Sequence, residues 1–124
     1  MPEQRPAFYA LRPGGWRDLV TVLHPPYTAW HLANVCFGAA AAAQIHTDRF
    51  IATLVAFFLA LGISAHTLDE LNGRPLRTGL SDRTLIALAA VSLAGAIGIG
   101  IAGCIVVSAT QIPFVLAGSF FVVA

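Results

Sequence analysis

Long uncharged runs alternate with short polar segments along this chain. Residues 27–45, residues 50–68 and everything from residue 84 onward contain no Asp, Glu, Lys or Arg. A helix needs about 20 mostly apolar residues to cross the hydrocarbon core of a bilayer. The last run is too long for one crossing, and Pro113 interrupts it because proline lacks the N–H that would continue a helix. The pattern predicts full membrane spans at residues 27–45, 50–68 and 84–109, and an incomplete fourth span at residues 112–124.

The N-terminal segment, residues 1–26, contains a short amphipathic pattern. Its apolar residues are spaced i, i+3, i+4 and i+7, as Trp16, Leu19, Val20 and Leu23. This spacing is typical of a short helix lying in the headgroup region of a bilayer. Pro25 and Pro26 then end that helix and turn the chain into the bilayer. We therefore expect an all-α, polytopic transmembrane helical bundle, residues 27–124, with an N-terminal interfacial helix.

The composition agrees with a membrane protein and excludes a nucleic-acid-binding one. Hydrophobic residues make up 57% of the chain and charged residues only 10%, whereas soluble domains average about 25% charged residues. The net charge is +1 and the chain has no lysine, so there is no basic stripe that could follow a phosphate backbone. The expected surroundings are a lipid bilayer.

The distribution of arginines predicts the orientation. Three arginines precede the first span: Arg5, Arg12 and Arg17. Three more lie between the second and third spans: Arg74, Arg77 and Arg83. Only Arg49 lies between the first and second spans. Cytoplasmic loops carry the excess of Arg and Lys. The N-terminus and the 69–83 loop are therefore predicted to be cytoplasmic, in the inner (plasma) membrane.

Polar side chains at membrane depth are the candidate functional residues, because they are costly in lipid. His31 and Asn34 share a face of the first span, and His66, Asp69 and Glu70 share a face of the second. Both faces reach the same leaflet. We expect a cleft between the first two spans, open to the cytoplasm and lined by these five side chains.

Carboxylates beside arginines suit the binding of a diphosphate through a metal. Asp69 and Glu70 could hold Mg²⁺, and Arg74 and Arg77 could neutralise phosphate oxygens through forked hydrogen bonds. The simplest alternative is that the two carboxylates only pair with the two arginines at a helix end. A site for Fe, Mn or Zn built from His31, His66, Asp69 and Glu70 is a second alternative. A non-catalytic membrane subunit whose charged loop docks a partner is a third.

The segment "RPLRTGLS", Arg74 to Ser81, follows a carboxylate cluster at the end of the second span. It resembles the first aspartate-rich loop of the UbiA superfamily of intramembrane prenyltransferases. Asp69 matches the middle aspartate of the family motif, whereas His66 and Gly73 stand at the other two aspartate positions. "LRPGGW" and "GAAAAA" are also similar to the family's N-terminal helix and first span.

The resemblance implies a membrane enzyme that transfers an isoprenoid chain from a prenyl diphosphate to a small acceptor with Mg²⁺. It implies Asp69 and Glu70 as metal ligands, and it implies substrate-binding roles for Arg74, Arg77, Asn34, His31 and His66. The family's second aspartate-rich motif is not in this sequence, and the last apolar run ends without an interfacial Trp, Tyr or Arg. We therefore expect the chain to be the N-terminal part of a longer protein.

The third predicted span carries a ridge of small residues. One recurs at every fourth position: Ser92, Ala96, Gly100, Cys104 and Ser108. Small residues let helix backbones approach closely. The ridge predicts packing against another helix of the same chain or, alternatively, helix–helix self-association.

Overall fold

The computed structural model describes residues 4–124, and that range is all-helical, with no strand. The helices are α1 (Trp16–Val22), α2 (Pro25–Ala41), α3 (Thr47–Phe57), α4 (His66–Leu71), α5 (Asp82–Val106) and α6 (Ile112–Val123). A π-helical segment, Phe58–Ala65, joins α3 to α4 without a break, and a 3₁₀ turn, Ala109–Gln111, precedes α6. The predicted all-α fold class is confirmed. Residues 1–3 of the predicted N-terminal segment lie outside the described residues.

The number of helices that could cross a membrane differs from the predicted number. Within residues 4–124, two helices are long and apolar enough to cross a membrane: the continuous helix Thr47–Leu71 and α5, each of 25 residues. The helix in the first apolar run, α2, has only 17 residues, because Ala42 adopts an extended backbone conformation (φ −71°, ψ 145°) and ends it. α6 has 12 residues. The predicted three full spans at residues 27–45, 50–68 and 84–109, with a truncated fourth at 112–124, are therefore not supported.

The two long helices leave most of their apolar side chains at least partly exposed. In the most hydrophobic stretch of each, only 17% of the residues are buried. Val91 is 74% exposed and Ile105 79% exposed on α5. A core helix of a soluble protein is buried over most of its length, so these helices present an apolar surface to their surroundings.

Local sequence signals set several helix ends. Pro25 occupies the first position of α2, where its missing N–H costs no hydrogen bond. Ser81 caps α5, its hydroxyl accepting a hydrogen bond from the Thr84 amide at 3.2 Å. At the far end α5 stops at Val106, and Pro113 lies in the first turn of α6. The helix break expected around Pro113 is therefore present.

The π-helical segment fixes how the second helix meets its neighbours. The Ser64 hydroxyl donates a hydrogen bond to the Ala89 carbonyl of α5 at 3.0 Å, and both residues are buried. The Thr67 hydroxyl donates to the Ile63 carbonyl at 2.8 Å, inside the widened turns. In a π-helix the hydrogen bonds span five residues, so the chain rotates by a smaller angle per residue than in an α-helix. The side chains of α4 therefore point in different directions from those of an unbroken α-helix.

The small-residue ridge of α5 packs within the chain. A Cβ atom on Gly100 would lie 2.9 Å from both methyl carbons of Val115 on α6, and one on Gly103 would lie 2.8 Å from Gln111 Oε1. Ser92 is 4% exposed. Small residues are therefore required where α6 returns along α5. Self-association through Ser92, Ala96, Gly100, Cys104 and Ser108 stays a prediction.

Candidate functional site at the polar end

Most of the charged residues gather at one end of the helices, the polar end. It comprises the N-terminal segment from residue 4, α1, α4 and the loop of residues 72–81. The Leu11 amide donates to the Thr21 hydroxyl at 2.9 Å, which holds the N-terminal segment against α1. α1 in turn packs against α4. The polar end is therefore one connected structure.

Glu70 organises the 72–81 loop from inside. Its side chain has no exposed surface. One carboxylate oxygen accepts the Leu76 amide at 2.8 Å, and the other accepts the Thr78 amide at 2.8 Å and the Thr78 hydroxyl at 2.9 Å. Hydrogen bonds to a charged acceptor are among the stronger ones in proteins. Glu70 therefore acts as an anchor for the loop.

Asp18 is a second buried carboxylate that holds the same loop. It is 4% exposed and lies in the first turn of α1. Its Oδ2 accepts the Gly14 amide at 3.1 Å and the Gly79 amide at 3.2 Å. A Cβ atom on residue 79 would lie 3.1 Å from that oxygen, so the lack of a side chain permits the close approach. Asp18 thereby ties the N-terminal segment to the loop.

Aromatic and imidazole rings stack beside these anchors. The His24 ring lies 4.2 Å from the Tyr9 ring, 4.6 Å from the Tyr27 ring and 5.0 Å from the His66 ring, centroid to centroid. The two imidazoles are stacked with an angle of 27° between their planes. Asp69 lies within electrostatic range of both histidines. The rings therefore form a partly buried cluster next to an exposed carboxylate.

Burial changes the acidity of two groups in this cluster. It lowers the pKa of His24 below its usual value, because the loss of solvation outweighs the charge of Asp69, which acts the other way. Burial also raises the pKa of the Tyr9 phenol, with the negative charge of Glu70 as the second cause. Nδ1 of His24 is buried and has no hydrogen-bond partner among residues 4–124. The neutral form of His24 therefore fits this position better than the cation.

The two arginines predicted to bind phosphate have different surroundings. Arg74 forms an ion pair with Asp82 at the start of α5 and also donates to the Leu80 carbonyl. Arg77 is exposed, and no ion pair involving it is found in residues 4–124. Both have left-handed backbones, with φ of 56° for Arg74 and 53° for Arg77, which is uncommon outside glycine. The alternative prediction was that Asp69 and Glu70 pair with these arginines. No such ion pair is found within residues 4–124.

The structure brings together only part of the predicted cleft. The ring that stacks on His66 belongs to His24, not to His31, which is half-buried with its ring 6.4 Å from that of Tyr27. Asn34 is exposed and lines a cavity of about 410 Å³ near the turn between α2 and α3. That turn lies at the end of the helices away from α4. His66, Asp69 and Glu70 all lie on α4, but Asp69 is exposed and Glu70 enclosed.

Three residues at this end were not selected as site residues from the sequence: Tyr9, Asp18 and His24. Asp18 lies on the polar side of a predicted amphipathic helix, which suggests that it is exposed. It is instead 4% exposed, whereas Trp16 on the apolar side is 65% exposed. His24 precedes two prolines and adopts a left-handed conformation with φ 50°. The only sequence signal for His24 was its position directly before Pro25, Pro26 and the first predicted span. Nothing local pointed to Tyr9.

The described side chains do not form a closed metal site. No group of three or more His, Cys, Asp or Glu residues able to hold one metal ion occurs within residues 4–124. Mg²⁺, however, is usually held by one or two carboxylates together with substrate phosphates and water. Asp69 is a solvent-accessible carboxylate of α4, whereas both carboxylate oxygens of Glu70 already accept hydrogen bonds from the 72–81 loop.

Comparisons of this chain with protein-family models, with curated proteins and with solved structures give no match.

The partly buried imidazole of His24 should make the polar end sensitive to pH. Because the pKa of His24 is lowered in the folded state, its neutral form stabilises the fold above the unfolded pKa of about 6.5, and this contribution is lost as the pH falls through and below that value. We expect the thermal unfolding midpoint to fall between about pH 7.5 and about pH 5.5. His24→Phe, which keeps a ring and removes the titrating group, should reduce that fall.

The matched control is His46→Phe, at the exposed turn before α3. It should leave the pH dependence as in the unsubstituted protein. Equal pH dependence with and without His24 would contradict the role assigned to its burial.

Proposed function

We propose that this chain is an integral protein of the inner (plasma) membrane with its polar end in the cytoplasm. The length of Thr47–Leu71 and α5, and the small share of their apolar residues that is buried, support the membrane setting. The arginines support the orientation, because six of the seven lie in the N-terminal segment or between residues 74 and 83. α1 would lie on the bilayer surface, with the 65% exposed Trp16 and the 41% exposed Leu19 facing the headgroups.

Its proposed activity is that of a UbiA-like prenyltransferase, or of the N-terminal part of one. The substrate class is an isoprenoid diphosphate, and the acceptor is a small molecule. The observation that best supports this activity is that two adjacent carboxylates, Asp69 and Glu70, have different surroundings. Glu70 is committed to the amides of the 72–81 loop, whereas Asp69 is exposed beside the histidine cluster. A loop held rigidly from inside leaves Asp69 and Arg77 available to a ligand.

In this proposal the two sides of a diphosphate are held by different groups. Asp69 is the carboxylate that would hold Mg²⁺, and Arg77 would donate to phosphate oxygens. A bound Mg²⁺ supplies charge neutralisation of the diphosphate. Arg77 acts in the same sense, stabilising negative charge as the bond between the isoprenoid carbon and the diphosphate oxygen breaks. His66 and His31 would border the start of the isoprenoid chain. Arg74, paired with Asp82, would contribute mainly to the shape of the loop.

The test is the binding of a prenyl diphosphate to the purified full chain in nanodiscs, with Mg²⁺ and with EDTA. We expect binding that requires Mg²⁺ and is abolished in Asp69→Ala, while helicity and the unfolding midpoint stay unchanged because Asp69 is exposed. Asp48→Ala is the matched control, since Asp48 is an exposed carboxylate in the first turn of α3. Binding that is independent of Mg²⁺, or equal in Asp69→Ala and the unsubstituted chain, would refute the assignment.

A further inference from the structure

An open groove runs along the outside of α5, and none of the stacked rings lines it. Its volume is about 700 Å³, within the roughly 300–1,000 Å³ of ligand clefts. Its walls are apolar and come from the π-helical segment and from one face of α5: Leu59, Ile63, Ala87, Leu88, Val91 and Gly95. We call this cavity the α5 groove. None of the residues proposed to bind the diphosphate lines it.

Packing beneath the groove explains why it is open. Ser64 and Ala89 hold the two helices together through a buried hydrogen bond of 3.0 Å. Beyond that contact the small Ala87, and Gly95 with no side chain, line the groove together with the bulkier Leu59 and Val91. A Cβ atom on Gly95 would lie 3.1 Å from Leu59 Cδ1, so this end of the groove closes tightly. The groove is therefore shaped by the close approach of two helices.

One end of the α5 groove is positively charged. Arg83 and Thr84 line it, and Arg83 is the last charged residue before forty-one uncharged positions, 84–124. Among residues 4–124 the ion pair at this end joins Arg74 to Asp82, so the Asp82 charge is already neutralised and the Arg83 charge is not. The charge at the mouth of the groove therefore favours an anion.

The length of the groove fits one leaflet. From Arg83 to Gly95 the α-helix rises about 18 Å at 1.5 Å per residue. Half of a hydrocarbon core of about 30 Å is about 15 Å. A molecule with its anionic group at Arg83 would therefore extend its apolar chain to about the middle of the bilayer.

We propose that the α5 groove binds one anionic phospholipid, with its phosphate at Arg83 and an acyl chain along Ala87, Val91 and Gly95. This rests on the membrane setting proposed above, but not on prenyl transfer. A diphosphate would bring more negative charge than one arginine balances, and a second copy of the chain would bring a second cation to the same mouth. A phospholipid with one net negative charge matches both the charge and the length.

Native mass spectrometry of the delipidated full chain in detergent tests the proposal. Dioleoyl phosphatidylglycerol and dioleoyl phosphatidylcholine are titrated separately, and the expected result is one retained phosphatidylglycerol that phosphatidylcholine does not replace. Arg83→Gln should weaken phosphatidylglycerol binding about fivefold, the value of one cation near a membrane surface. Arg17→Gln, which removes a cation at the polar end outside the groove, should have little effect.

The apolar part of the groove is tested separately. Ala87→Phe should fill the groove and abolish retention of the lipid, whereas Ala90→Phe, also exposed on α5 but outside the groove, should not. Circular dichroism checks that both variants are folded. Equal retention of the two lipids by the unsubstituted chain, or normal retention by Ala87→Phe, would overturn the proposal.

Two further measurements separate this site from the proposed function. Asp69→Ala should retain phosphatidylglycerol even if it loses prenyl diphosphate. If a prenyl diphosphate displaces the phospholipid and its binding is lost in Ala87→Phe, the groove is a prenyl site and the phospholipid proposal fails.

Discussion

Glu70→Ala should lower the free energy of unfolding by about 3 kcal/mol, because two loop amides and one hydroxyl lose a charged acceptor inside the protein. The same change should expose the loop to trypsin. The bond after Arg77 is the one whose N–H, on Thr78, donates to Glu70 at 2.8 Å. Without that acceptor the left-handed backbone at Arg77, φ 53°, is free to relax. Unfolding in detergent and the rate of cleavage after Arg77 measure the two effects.

Asp69→Ala is the control for this prediction, because it removes the neighbouring carboxylate, which is exposed. It should change the free energy of unfolding by less than about 0.5 kcal/mol and leave cleavage after Arg77 slow. Glu70→Gln keeps the shape but replaces one acceptor oxygen by a donor group, so an intermediate effect is expected. If Glu70→Ala and Asp69→Ala were equally stable, the loop would not depend on Glu70.

Asp18→Ala should release the N-terminal segment and the 72–81 loop together. The Gly14 and Gly79 amides both donate to Asp18, at 3.1 Å and 3.2 Å, in a place where Asp18 is 4% exposed. Leaving two amides without a partner should cost about 2 kcal/mol. Hydrogen–deuterium exchange of peptides covering residues 11–15 and 76–81 measures the effect, and both peptides should exchange faster than in the unsubstituted chain.

Two comparisons make this result specific. Asp48→Ala, at the other end of the helices, should leave both peptides protected. Glu70→Ala should accelerate exchange in residues 76–81 more than in residues 11–15, because the Gly14 amide keeps its acceptor. Faster exchange of residues 11–15 alone in Asp18→Ala would show that the contact with Gly79 does not hold the loop.

Glu70→Ala and Asp18→Ala are expected to act on stability, whereas Asp69→Ala is expected to act on binding. This difference separates the proposed function from the simplest alternative, in which both carboxylates have the same structural role. Loss of metal-dependent binding in Asp69→Ala with unchanged unfolding would assign the two roles to two adjacent residues. A loss of stability in Asp69→Ala would favour the structural alternative for both.

Several features followed from the sequence because local chemistry decides them. Two prolines end α1 and mark the start of α2, and Pro113 separates α5 from α6. Each depends on groups within one turn of the chain. The all-α class followed from the long apolar runs in the same way. The length of the first helix did not follow, since hydropathy continues to residue 45 while the helix ends at Ala41.

The roles of individual polar residues depend on tertiary structure. Asp69 and Glu70 are adjacent carboxylates, and which of them is enclosed depends on the rotation that the π-helical segment gives to α4 and on where the 72–81 loop folds back. That π-helical segment has no signal in the apolar pattern. The meeting of His24 with His66, rather than of His31 with His66, has the same origin, since it joins the start of α2 to α4 across the bundle.

The sequence by itself determined the helical class, the helix break near Pro113 and the concentration of charge between residues 69 and 83, because hydropathy and proline act over a few residues. Only the tertiary structure decided that Asp18 and Glu70 accept amides of one loop, that Arg74 pairs with Asp82, and that a groove opens at Arg83. Buried carboxylates take whatever donors the fold brings to them, and those donors are up to 61 positions away along the chain.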